Sequence, residues 1–331
     1  MTIYQTQRRI PTMAGAIVEV ARDPSGRAVV VKRAQTDSAA ASLAACARHL
    51  RRLLEIDDIA MWYPSVLSYD DGVLVLPYYE HGSLDAAGAH DRGRFVELVN
   101  QALDVLIRVS GRETMQGTDG SLDGVIGARA FWRTQLRSRL DRLAKTGADL
   151  RKQPFGAIVD SLDSGLLDTL VNAAATRPLA LAAHGDFGLN NVLLDHPTPL
   201  GPGFRFIDLR GQTPWAAGLP WWDPMLDLGT LIAFHCHIEP ALGVRDGIAV
   251  EGPHDRATLT PDEIFSGRER SPVMRQWADD DPQWRLRTQL GVVTRILGSV
   301  STQLTSAPKD REARAEKVTR LLDAAWKELV A

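Results

Sequence analysis

The residues best suited to chemistry lie in one run, His184-Gly185-Asp186-Phe187-Gly188-Leu189-Asn190-Asn191, with a further aspartate at Phe206-Ile207-Asp208. The run has the form HxDxxxxN and leads into a short apolar stretch, Val192–Leu194. Phosphoryl transfer to an alcohol asks for little more. A carboxylate must accept the hydroxyl proton, and oxygen ligands must hold magnesium against the β- and γ-phosphates of the donor. An aspartate and an asparagine five residues apart on one loop can take these two tasks. A second aspartate on a paired strand can approach the same metal from across a hairpin. Taken singly, each has a plainer reading: Asp186 as a turn residue, Asn191 as a turn cap, Asp208 as a strand end. The three segments in order point to function.

These segments resemble the aminoglycoside phosphotransferase family, within the wider group of protein-kinase-like small-molecule kinases. Gly185 stands where protein kinases carry arginine in HRDxxxxN, and Ile207-Asp208-Leu209-Arg210 stands where they carry DFG. Further on, Trp222-Asp223-Pro224-Met225-Leu226-Asp227-Leu228-Gly229 is similar to the family's DPxxDLA segment. The resemblance implies Asp186 as catalytic base, Asn191 and Asp208 as Mg2+ ligands, His184 as a brace of the loop and Asp227 as its hydrogen-bonded support. It also implies a two-lobed protein-kinase-like α+β fold, with ATP or GTP as donor and a hydroxyl of a small polar molecule as acceptor. An aminoglycoside or other antibiotic is one class of acceptor; a metabolic sugar, amino sugar or amino alcohol is another. A nucleotide-binding scaffold without catalysis is the alternative from a different class.

On the nucleotide side, Val29-Val30-Val31-Lys32 matches the VAIK strand, whose lysine meets the phosphates. A lysine that ends an edge strand to discourage aggregation is the plainer account. Kinase-like enzymes pair this lysine with a glutamate in the middle of the next helix, yet residues 38–54 contain no acid. Glu55 lies at the far end and Asp37 reads as a helix cap, so Lys32 is left to another acid or to the nucleotide. There is no GxGxxG loop. Leu74-Val75-Leu76-Pro77-Tyr78-Tyr79 reads as a hinge strand, with Leu76 and Tyr78 as nucleotide-binding positions and Pro77 lacking an N–H.

The elements that must position these residues are legible from periodicity. Strands are expected at Ala16–Ala21 and Ala28–Arg33 around the Asp23-Pro24-Ser25-Gly26 turn, then at Ser65–Tyr69 and Gly72–Leu76. A helix over Ser38–Ile56 lies between them, capped by Thr36, Asp37 or Ser38. These strands and one helix would make a small β-rich N-lobe over 1–77, and 78–331 would form a larger, mainly helical lobe with the catalytic loop and acceptor site. In that lobe apolar residues recur at helical spacing over Arg94–Val109, Ala128–Ala144, Ala157–Ala175, Met225–His235, Trp284–Leu304 and Lys309–Val330. Val192–Leu194 and Phe204–Ile207, joined by Asp195–Gly203, form a hairpin.

On the acceptor side, Trp215, Trp221 and Trp222 could stack on a substrate or pack a core. Asp279-Asp280-Asp281 could bind a cationic acceptor, though a helix cap is the simpler account. His235 and His237 suggest a metal pair, but no further cluster supports zinc, and core histidines are the better reading. Arg210 could meet the transferred phosphate or pair with Asp223 or Asp227.

Bulk properties exclude other classes. With 331 residues and a net charge of -3, the chain has no general attraction for nucleic acid or an acidic membrane surface. Two distant cysteines, Cys46 and Cys236, make no disulfide framework. No apolar run is long enough to cross a bilayer, and no signal-like segment opens the chain. A cytoplasmic location is expected.

Overall fold

The computed structural model describes residues 4–10, 15–87, 92–111, 122–152, 154–198, 201–210, 221–245, 248–249, 259–270, 272–305 and 310–331. They form two compact units, one drawn from 1–87 and 190–221, the other from 88–189 and 222–331. The architecture is α+β: an N-terminal antiparallel sheet followed by a mostly helical remainder.

The first unit begins with strands β1 (Gln5–Ile10), β2 (Ala16–Arg22) and β3 (Ala28–Ala34). The β2–β3 turn is tied by Asp23, whose Oδ1 accepts from the Ser25 and Arg27 amides, as its Asp-Pro-Ser-Gly sequence suggests. Helix α1 (Asp37–Leu54) follows, then the short α2 (Asp57–Ala60), β4 (Ser68–Asp70), β5 (Val73–Pro77) and α3 (Leu84–Ala87). Of the three cap candidates, Thr36 is the one used: its Oγ1 accepts from Ala39 N, and Asp37 occupies the first turn. The strand order is β1-β2-β3-β5-β4. β1 lies ahead of every segment that alternation had singled out, and its side chains are all exposed, so no apolar pattern marks it.

The sheet register sorts the side chains onto two faces. Lys32 opposes Val18 and Leu74, and Val30 opposes Val20 and Leu76. Directly opposed residues share a face and alternate residues return to it. Val18, Val20, Val30, Leu74 and Leu76 therefore lie beside Lys32. Ala21, Val29, Val31 and Val75 form a separate buried cluster.

This unit also takes in the hairpin of β6 (Val192–Thr198) and β7 (Gly201–Phe206). Phe206 N–H donates to the Trp62 carbonyl (2.9 Å) and Leu194 N–H to the Gly82 carbonyl (2.9 Å). The Tyr63 ring meets Phe206 edge-on. These contacts fix the strand end that carries Asp208.

The second unit holds α4 (Arg92–Ser110), α5 (Leu122–Ala144), α6 (Phe155–Asp163) and α7 (Leu166–Ala174). The single helix expected over Ala157–Ala175 is two, because Gly165 adopts φ 77 and breaks the run. Helix α8 (Pro224–Leu231) continues through a wide π turn, Ile232–Ile238, into α9 (Glu239–Leu242). Then come α10 (Pro261–Arg270) and α11 (Pro272–Asp280), neither of which the apolar spacing marked, and the long α12 (Trp284–Thr305) and α13 (Arg311–Val330).

Helix α12 is the core of this unit and packs against α8, α13 and α5. It meets α8 backbone to backbone. A Cβ on Gly229 would lie 2.7 Å from Gly291 Cα, so both positions admit only glycine without a shift of the helices. No described helix is long and apolar enough to cross a membrane.

Candidate functional site

In the first unit, strand pairing brings Lys32 to Asp208. The Lys32 ammonium forms an ion pair with the Asp208 carboxylate, which is about half exposed at 48%. Burial pushes the Lys32 ammonium below the usual lysine range. The facing carboxylate favours its charged form. The acid that α1 lacks is thus supplied by the strand after the HxDxxxxN loop. Glu55, at the end of α1, pairs with Arg52 instead (2.9 Å).

Asp208 has φ 60, a left-handed conformation that aspartate tolerates better than most residues. Asn191 sits across the base of the hairpin, where its backbone carbonyl accepts from Ile207 N–H (2.9 Å). The pair offers an amide oxygen and a carboxylate oxygen, hard donors of the type magnesium takes. Magnesium commonly keeps water and substrate phosphate in its other positions. Among the described residues no group of three His, Cys, Asp or Glu side chains could hold a metal. An amide and a carboxylate oxygen fit a cation whose other positions are taken by water and phosphate.

Leu76 is buried on the Lys32 face, and Tyr78, just beyond β5, is half-buried. Tyr79 stacks under the Arg205 guanidinium, 5.8 Å from its ring centre, and Arg205 pairs with Asp195.

In the second unit, the loop that carries Asp186 is held by a buried polar network. Asp227, fully buried on α8, accepts from His184 N–H (2.6 Å) and Phe187 N–H (3.3 Å). Burial raises its carboxyl to about 7, opposed by Arg295 and by the two amides. His184 is fully buried; its Nδ1 accepts from Asp186 N–H (3.2 Å), and its ring meets Phe187 edge-on. Gly185 has φ 77, a backbone that any side chain would strain, which accounts for glycine where protein kinases carry arginine.

Two supports lie outside every motif. Arg295 of α12 places one guanidinium nitrogen 3.3 Å from Asp186 Oδ1 and donates to the Gly185 carbonyl and to Thr230 Oγ1 (2.7 Å). His235, in the π turn, accepts from Leu189 N–H on Nε2 (3.1 Å), and its Nδ1 meets Glu239 Oε2 (2.8 Å). That pairing assigns the proton to Nδ1. His235 is a core histidine that braces the loop's end. The sequence marked it only through the His235/His237 spacing, with the core reading preferred, and carried no signal for Arg295.

The remaining candidates have structural roles. Trp222 is buried against Phe131, and Trp215 lies outside the described residues. Asp281 is buried, caps the start of α12 through Gln283 N–H (3.2 Å) and pairs with Arg287. Arg287 also grips Asp223 (2.6 Å), which accepts from the Trp132 indole (2.9 Å).

No protein-family model matches the chain, and no curated protein matches it by sequence. Solved structures do. An ethanolamine kinase of Plasmodium vivax aligns with a TM-score of 0.59 at 10% identity, over 97% of this chain and 81% of that one. A choline kinase of Cryptosporidium parvum aligns at 0.54 and 10% identity, over 98% and 89%. An ADP-bound aminoglycoside phosphotransferase aligns at 0.51 and 15% identity, over 98% and 94%. The chain therefore has the protein-kinase-like fold of the small-molecule kinases, as its motifs implied.

Proposed function

We propose that the chain is a magnesium-dependent O-phosphotransferase that moves the γ-phosphoryl group of ATP or GTP to a hydroxyl of a small polar molecule. The observation that carries this reading is the ion pair of Lys32 with Asp208. Three long-range pairings, β3 with β5, Phe206 with Trp62 and Leu194 with Gly82, support it, since they accompany the meeting of the Lys32 ammonium with the Asp208 carboxylate.

In this reading 1–77 binds the nucleotide and 78–331 supplies the catalytic loop and acceptor site. The purine lies against the apolar face that includes Leu76, with Tyr78 at the hinge. Lys32 engages the phosphates. Asp186 accepts the acceptor's hydroxyl proton as its oxygen bonds to the γ-phosphorus, and the bond from that phosphorus to the bridging oxygen breaks to release the nucleoside diphosphate. Magnesium held by Asn191 and Asp208 neutralises charge on the phosphates. The acceptor is an aminoglycoside or other antibiotic, or else a sugar, amino sugar or amino alcohol. The two cysteines are free, which suits a cytoplasmic protein.

The test is nucleotide consumption by the purified chain with streptomycin, kanamycin, glucosamine, choline and ethanolamine, each with and without magnesium. Magnesium-dependent release of ADP or GDP that rises with one acceptor and vanishes in Asp186→Asn is the expected result. Nucleotide binding without any turnover across the panel would favour the inactive scaffold.

A further inference from the structure

Some buried charges of the second unit hold the scaffold away from the loop, as Arg287 does between Asp223 and Asp281. Arg295 differs. It is buried, comes from a helix about a hundred residues further along the chain, and spends its guanidinium on the segment that carries the proposed base. Nε donates to Thr230 Oγ1, one terminal nitrogen donates to the Gly185 carbonyl, and the other lies 3.3 Å from Asp186 Oδ1.

We infer that Arg295 is the positioning residue for the Asp186 carboxylate: it sets that side chain's orientation. This inference rests on the phosphotransferase reading above. Three targets in different directions suit the planar fork of arginine, whereas a lysine ammonium would satisfy them less well. The glycine crossing makes the reach possible. Gly291 and Arg295 are one turn apart on α12, hence on one face, and Gly291 lies directly against α8 beside Thr230. Arg295 also acts on Asp227, whose raised carboxyl it pulls down while Asp186 pushes it up.

The experiment compares Arg295→Met, Arg295→Lys, Arg295→Ala and Thr230→Val with the wild type. It reads magnesium-ATP turnover with water and with each member of the acceptor panel, alongside thermal melting. Arg295→Met should lower kcat by about 10²-fold while the KM for magnesium-ATP stays within about threefold, since displacing a reacting group by an ångström costs that much. Arg295→Lys should recover part of the loss, and methylguanidine should raise the kcat of Arg295→Ala. Thr230→Val, which removes the anchor on α8 and the hydroxyl's bond to the Leu226 carbonyl, should keep kcat within about threefold of wild type.

Arg295→Met with wild-type kcat would overturn the inference. So would a Thr230→Val defect equal to that of Arg295→Met, since the arginine would then be a brace between helix and loop. A wild-type chain that consumes no nucleotide under any condition would sink the phosphotransferase reading, and this inference with it. Wild-type turnover beside an unaffected Arg295→Met would sink this inference alone.

Discussion

The two units hold their functional candidates by opposite means. In the first, Lys32 and Asp208 are placed by strand pairing, and the Asp208 carboxylate faces water with its backbone in a left-handed conformation. In the second, Asp186 sits on a loop gripped from below by Asp227, His184, His235 and Arg295, all buried. Sheet register is a rigid frame that fixes a side chain from its backbone. A loop has no such frame, so its geometry must come from hydrogen bonds made by side chains elsewhere. The first arrangement therefore costs few residues and the second many.

The comparison can be broken most sharply at Asp186. Asp186→Asn should reduce phosphoryl transfer by about 10²–10⁴-fold, the usual worth of a general base, with nucleotide affinity nearly unchanged. Wild-type transfer in that variant, measured as product formed per unit time, would remove the second unit from the chemistry.

The Lys32–Asp208 pair should respond asymmetrically. Lys32→Met replaces a buried ammonium by an apolar chain of similar length; it should leave the melting temperature unchanged or raised while turnover falls by about 10²-fold. Asp208→Ala leaves that ammonium without its partner; it should cost about 1 kcal/mol, an amount held down by the exposure of the carboxylate, and abolish magnesium dependence. Equal melting shifts in the two variants would show that the pair is a surface contact of no structural weight.

The Asp227 carboxyl gives a pH signature. Its pKa is raised to about 7, so the folded chain holds that proton more tightly than the unfolded chain does. Stability from this group is present at acid pH and is lost as pH climbs from the ordinary carboxylate range to about 7. Against the non-titrating Asp227→Asn, wild-type unfolding free energy should fall over that interval by up to about 1.4 kcal/mol per pH unit, the one-proton limit. Parallel curves from pH 4 to pH 7 in chemical denaturation would mean that the two amides and Arg295 outweigh burial.

The last variant, Gly291→Ala, acts on packing and not on charge. The added Cβ would lie 2.9 Å from the Met225 carbonyl and 3.2 Å from Gly229 Cα. Forcing α8 and α12 apart should cost about 1–3 kcal/mol and lower turnover through the loop they jointly hold.

How much could be read from the chain alone follows from the same contrast. Asp186, Asn191, Asp208 and Lys32 stood out as candidates because each sits in a short motif whose spacing suits the proposed chemistry. Asp227 was legible by resemblance. The partner of Lys32 was not, because that acid comes from a hairpin about 175 residues on and not from the next helix. Arg295 was invisible for a similar reason: on α12 it is one charged residue in a long helix, and only tertiary packing aims it. β1 carries no apolar alternation at all, and the break at Gly165 was hidden within a continuous apolar run.

The wide turn at Ile232–Ile238 has a further consequence. Such a turn amounts to one extra residue slipped into an otherwise regular helix, so everything past it is rotated by about a third of a revolution relative to what came before. A helical wheel drawn through 224–242 in one phase would send His235 and Glu239 to the wrong side. Deleting a single residue there would restore an ordinary coil and swing both away from Leu189, leaving the composition of the segment almost untouched.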